Sequence, residues 1–152
     1  MKLATVPGQW PTEPALEWLR NEYPVTITVG GVPYASAVHA YWSLATTDET
    51  ARTAIRNAKT PLSVESAVGK APLREDWPHL RATAMHTVLR AKFDQHPHIA
   101  DVLVATGDAR IDYSLGSAYW SGGTAGRNWL GRLLELVRSE TTAKRAGFLP
   151  VA

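Results

Sequence analysis

Among the 152 residues of this chain, Lys92 is the one whose type and setting hold the most chemistry. It follows Val88 by four residues and Leu80 by twelve, so it falls on or beside the apolar stripe of a helix. A lysine there either snorkels its ammonium to the rim or sits in a pocket. In a pocket, desolvation lowers its pKa and leaves a neutral amine able to act. Tyr119 and Trp120 are a second candidate group, with Trp129 just inside the following helix. Flat rings beside an open loop suit stacking on a nucleobase or ribose, though tryptophans next to glycines also serve as core anchors. Gly122-Gly123-Thr124-Ala125-Gly126 leads into a helix N-terminus, where unpaired N–H groups favour anions. It lacks the lysine of a P-loop. A phosphate cradle and an ordinary surface loop stand level on spacing alone.

Other constellations say less. His96-Pro97-His98 with Asp101 has no third ligand at a recognised spacing, and the proline turns the two histidines apart, so no metal is expected. Ser63 and the other serines lack a G-x-S-x-G elbow. The absence of cysteine excludes a thiolate nucleophile, a disulfide scaffold and a Cys-ligated zinc or iron–sulfur site. Lys plus Arg number 16 against 14 Asp plus Glu, a net +2 that is too mild to mark a nucleic-acid binder. A phosphate-backbone surface made of Arg127, Arg132, Arg138, Lys144 and Arg145 is the least favoured reading, because acidic residues interleave with the basic ones. No run of about 18 apolar residues and no signal-peptide core is present. A cytoplasmic protein without membrane contact is the expectation.

These groups need elements to position them, and period and punctuation supply a plan. With 45% hydrophobic and 20% charged residues, one packed domain is expected. Thr12 caps a short helix over 13–20 with Leu16 and Leu19 facing inward. Val25, Ile27 and Val29 alternate with threonines as a strand, Gly30-Gly31 is a hairpin turn, and Val32-Pro33-Tyr34 returns at an edge. Helices follow over 37–45 capped by Ser36, over 48–59 started by Thr47, and from Ser63 to near Gly69. The longest runs over 77–94, capped by Asp76, with Leu80, Ala84, Val88 and Leu89 inside. Pro97 starts another that ends at Gly107, and 109–113 reads as a short strand. After the glycine-rich loop, a final helix carries Leu130, Leu133, Leu134 and Val137, fraying after Thr141. The fold class is α+β, mainly α, a single compact domain with a small β-hairpin or sheet.

Read as a series, these segments resemble the NADAR (YbiA-like) family. "GVPYASAVHAY" (31–41) is similar to its W-x-S-x-E-H-Y block, "LREDW" (73–77) to R-x-D-W, and "MHTVLRAKF" (85–93) to the M…L-x-A-K-F helix. "LVATG" (103–107) is similar to L-L-x-T-G, Tyr119-Trp120 to Y/F-W-G, and "GRNWLGRLLELVR" (126–138) to the closing G-x-N-x-L-G-x-L-L-M-x-V-R. Each block alone is weak, whereas the set in register is specific. The resemblance implies an arm and short helix over 1–24, a NADAR-like domain over 25–140 and a tail over 141–152.

It further implies an N-glycosidase or ADP-ribosyl hydrolase that breaks a ribosyl C1′–N bond without cofactor or metal. Some members release ADP-ribose from guanine in nucleic acid, and YbiA-type members cleave riboflavin-pathway intermediates. The implied ligand is thus an ADP-ribosylated guanine or a related ribosyl-N small molecule, with no obligate protein partner. A toxin–antitoxin or phage-defence setting is analogy only. Lys92 matches the lysine of the A-K-F block, as nucleophile or polarising cation, and Asp112 the acid after T-G, as acid–base group. His39, Tyr41, Trp77, Tyr119 and Trp120 become substrate contacts, while Gly126, Arg127 and Asn128 form a phosphate-facing loop. Asn128 is by type and position also an N-cap, and Trp129 a core residue. The departures are Val38 in place of the usual glutamate, Ala45 near a frequent lysine, and Ser117 and Ser121 around Tyr119-Trp120. Asp112, Glu65 or Asp76 could fill in for lost acids; otherwise the chain is a degenerate module that binds ADP-ribose or NAD without turnover.

Overall fold

Gly30 and Gly31 take φ of 58° and 80°, the left-handed pair that a tight two-residue hairpin requires. They join β1 (Ile27–Val29) to β2 (Val32–Tyr34) in antiparallel register, with Pro33 opposite Thr28. The structure, a computed structural model, describes residues 14–113, 116–123 and 125–151. Among these, six α-helices accompany the two-stranded sheet, so the fold is mainly helical with a small β element, as expected. The expected arm and the cap at Thr12 lie outside the described residues, as does Thr124 of the glycine-rich loop. The described residues gather into two compact units, Asn21–Lys92 and residues 14–20 with 93–151.

In the first unit the hairpin packs on α1 (Ala37–Leu44), which also meets α2 (Glu49–Asn57) and α3 (Pro61–Val68). Ser36 caps α1 as expected, accepting from His39 N. The start of α2 is a correction: Asp48, not Thr47, is the cap, accepting from Ala51 N at 3.0 Å. A carboxylate there also favours the helix dipole more than a hydroxyl does. The start of α3 is another. Thr60 Oγ1 accepts from Ser63 N at 3.1 Å, so the helix opens at Pro61, in the first-turn position that tolerates a ring. Ile27, Ala40, Ile55 and Val64 are fully buried. The long helix α4 (Trp77–Gln95) buries Ala84, Val88 and Leu89, and Asp76, expected to cap it, grips Arg74 through both oxygens at 2.9 and 3.0 Å.

In the second unit, residues Pro14–Leu19 wind as a 3-10 helix, not an α-helix, with Leu19 buried and Leu16 half-buried. It packs on α5 (Pro97–Ala105), which lies against α6 (Trp129–Arg145). The residues after Thr141 do not fray: α6 continues to Arg145, with Lys144 on Asp94 at 3.2 Å and Arg145 on Asp101 at 2.8 Å. The expected strand over 109–113 is also corrected. Among the described residues it is reduced to a single bridge position at Asp112, and side chains of α6 and its cap take backbone groups of Ala109, Ile111 and Tyr113. Arg138 Nη1 donates to Ala109 O at 2.7 Å, and Ile111 N donates to Glu135 Oε1 at 2.9 Å.

Candidate functional site

Lys92 ends the run Met85, Val88, Leu89 on one face of α4, and like Val88 and Leu89 it is fully buried. Its side chain is therefore buried and does not snorkel to the rim. Burial pushes its ammonium down from 10.5 to about 7, because a charge withdrawn from water is disfavoured; the Glu22 carboxylate opposes the fall. The Tyr23 ring stands 6.0 Å from Nζ. At neutral pH a large share of Lys92 is therefore free amine, the form that attacks carbonyl carbon. Neither Glu22 nor Tyr23 was legible as a neighbour, since both lie some 70 residues away in sequence.

Tyr41 and Trp77 come together, as rings of α1 and α4 with centroids 5.1 Å apart, and Trp42 adds an edge contact to Tyr41 at 4.9 Å. Tyr41 and Trp77 are buried at 4% and 7% exposure. His39 is corrected outright. Its Nε2 lies 2.9 Å from Ala58 O and its Nδ1 2.7 Å from Ser36 Oγ. A carbonyl only accepts, so Nε2 carries the proton and Nδ1 takes the serine hydroxyl. The ring stitches the start of α1 to the end of α2 and has no nitrogen left for substrate. Val38, where the family pattern has glutamate, donates its N–H to Asn21 O at 3.3 Å.

In the other unit, Asp112 is held by its neighbours. Asn128 Nδ2 donates to Ile111 O at 2.8 Å, and its Oδ1 accepts from Tyr113 N at 2.9 Å. One buried amide thus brackets Asp112 on both sides, while Arg110 Nε donates to the carboxylate itself at 2.8 Å. Asn128 stands at the N-cap position of α6, as its type and place in the sequence indicate, but its side chain is engaged elsewhere. It makes no side-chain capping bond to α6, sits at φ 54°, and its amide serves the backbone at 111 and 113 rather than a phosphate.

The N–H groups of residues 127–130 are engaged for a related reason. Arg127 N donates to Ala118 O, Asn128 N to Ser121 O, Trp129 N to Tyr119 O and Leu130 N to Trp120 O, at 2.7–3.3 Å. The N–H groups that lead into α6 are engaged by the loop itself. Gly126 is needed for this fit, since a Cβ there would collide with the Ser121 and Gly122 carbonyls. What the loop presents instead is a file of rings. Trp120 meets Tyr119 edge-on at 4.7 Å, Tyr119 stacks on Trp129 at 6.0 Å, and the Arg132 guanidinium lies 3.9 Å from the Trp129 centroid. Trp129, expected in the core, is half-exposed in this file. Arg127 is exposed beside it. The five cations once considered as a set are dispersed: Arg138, Lys144 and Arg145 are tied to protein groups and Arg132 covers Trp129.

A family model, the NADAR domain, matches residues 10–142. The chain belongs to the NADAR family. This NADAR domain is 31% identical to N-glycosidase YbiA of Escherichia coli (strain K12) over 125 residues, 78% of each chain. It is 34% identical over 134 residues to a riboflavin biosynthesis protein of Vibrio vulnificus (strain YJ016), covering 81% of this chain. Of that longer Vibrio protein it spans only 35%. The solved NMR structure of the E. coli protein YbiA superposes with a TM-score of 0.81 at 27% identity, covering 96% of this chain and 89% of that one. The family therefore includes N-glycosidases, as the resemblance implied. No helix among the described residues is long and apolar enough to cross a membrane, and no group of three or more His, Asp or Glu side chains among them is placed to hold a metal ion.

Proposed function

We propose that this NADAR domain is an N-glycosidase that opens a ribosyl C1′–N bond, with Lys92 as the reacting amine. The observation that carries the reading is a fully buried lysine whose pKa lies at about 7. The free amine of Lys92 adds to C1′, the bond from C1′ to the base nitrogen breaks, and the base leaves with a proton. The C1′–O4′ bond of the resulting glycosylamine then breaks, with the remaining Nζ proton passing to O4′, to leave an open-chain imine on Nζ; water then returns the amine and an aldehyde. Asp112 is the group proposed to give and take the proton, and Trp120 and Tyr119 to stack on the base or ribose. The finer assignment is ADP-ribose on guanine. It rests on the family resemblance; the ring file fits a purine, and the relatives named for riboflavin biosynthesis supply the competing ribosyl-N substrate.

One observation favours a second reading, a module that binds ADP-ribose without turnover. The Asp112 carboxylate is paired with Arg110, and Val38 has no acid to offer. Incubation with ADP-ribosylated guanosine decides between them. Free ADP-ribose that disappears in Lys92→Ala supports the enzyme, and a borohydride-trapped adduct on Lys92 supports the imine. Micromolar ADP-ribose binding with no release would replace the enzyme by the module. Undiminished release from Lys92→Ala would remove this lysine from the mechanism.

A further inference from the structure

Asn21, Glu22 and Tyr23 form a short segment just before β1 that is bonded to both α4 and α1. Asn21 fastens it at two points. Its Nδ2 donates to Met85 Sδ on α4 at 3.5 Å, and its carbonyl accepts from Val38 N in the first turn of α1 at 3.3 Å. Met85 and Lys92 are seven residues apart on α4, about two turns, and so share a face. Two residues beyond Asn21, the Tyr23 ring faces Lys92 Nζ at 6.0 Å. Glu22, half-buried, stands between the anchored residue and the facing one. Its charge is the one that acts on the lysine against burial. The other neighbours named by the geometry are the Tyr23 phenol ring from the same segment, and Val88 and Leu89 one turn back on α4; the last two carry no charge.

We propose that Glu22 is the positioning partner of Lys92, a carboxylate brought in from outside α1 and α4 that steadies the buried amine and sets the share of it that is charged. The proposal rests on the reading of Lys92 as the reacting amine. A carboxylate at this place has a clear use: burial disfavours the ammonium form, and a neighbouring anion favours it. A neighbouring anion restores a balance of the two forms near neutral pH.

The test uses the full chain with lysine Cε labelled with carbon-13, titrated by NMR, with Lys92→Met identifying the resonance. Glu22→Gln is expected to move the Lys92 midpoint to lower pH, by roughly half a unit or more. The acid limb of the kcat/KM profile should move by the same amount, and Glu22→Asp should restore most of both. An unchanged midpoint in Glu22→Gln would overturn the pairing, as would Gln and Asp variants that behave alike. If Lys92→Met keeps its turnover, the reading of Lys92 as reacting amine falls, while the titration still decides whether Glu22 is its partner.

Discussion

Lys92 and Asp112 are held by opposite means. Around the lysine the neighbours are apolar, Met85, Val88 and Leu89 on its own helix face, and position follows from helical period. Around the aspartate the neighbours are polar, and Asn128 and Glu135 fix the backbone on both sides of it with directed hydrogen bonds. The first arrangement changes the chemistry of the group it holds, since burial loosens an ammonium's hold on its proton. The second leaves the group half-exposed and fixes only where it stands. A helix stripe tunes; a hydrogen-bond clamp aims.

Replacing each in turn should pull this contrast apart. Lys92→Ala is expected to lower turnover by about three orders of magnitude or more, the scale of losing a covalent nucleophile, and steady-state release of ADP-ribose would measure it. A loss under tenfold would mean that the tuned amine is not the reacting one. Asn128→Ala leaves Ile111 O and Tyr113 N without their buried partner, a destabilisation of about 2–4 kcal/mol that urea denaturation reads directly. If the variant is as stable as the parent, the clamp is not holding the 111–113 segment.

The lysine also predicts a pH signature. Its folded pKa is lowered to about 7 from 10.5, so between these values the unfolded chain binds the extra proton. This group's contribution therefore makes stability rise with pH across that window, most steeply in its middle. Denaturation at a series of pH values should show a shallower rise in Lys92→Met, and parallel curves for the two proteins would refute the burial argument. Trp120→Ala should raise KM about tenfold with little effect on stability, the loss of a stacking face at a half-exposed ring. Arg127→Ala, at an exposed side chain, is expected to change stability by less than about 0.5 kcal/mol. Its effect on KM then shows whether this cation reads a phosphate.

The same contrast explains what was legible beforehand. Period alone puts Lys92 on or beside the apolar stripe, and the hairpin at Gly30-Gly31 and the cap at Ser36 follow from local chemistry within a few residues. The helix starts at Asp48 and Thr60 were missed by one to three residues because two capping side chains stood close together and either would serve. The amide of Asn128 could not be read at all. Its type suits an N-cap, and only the tertiary approach of 111–113 shows that its bonds go elsewhere. His39 was misread likewise, because the carbonyl it meets belongs to the end of another helix. The pairing of Lys92 with a segment near residue 22 is long-range for the same reason.

One consequence of the buried lysine reaches beyond catalysis. An apolar side chain of similar length at position 92 would fill the same space without a proton to shed, and replacing buried charge by hydrocarbon is often stabilising. A library of this chain selected only for survival of heating should therefore enrich leucine or methionine at position 92. The same library selected for turnover should keep lysine there, so the two selections would diverge first at this one site.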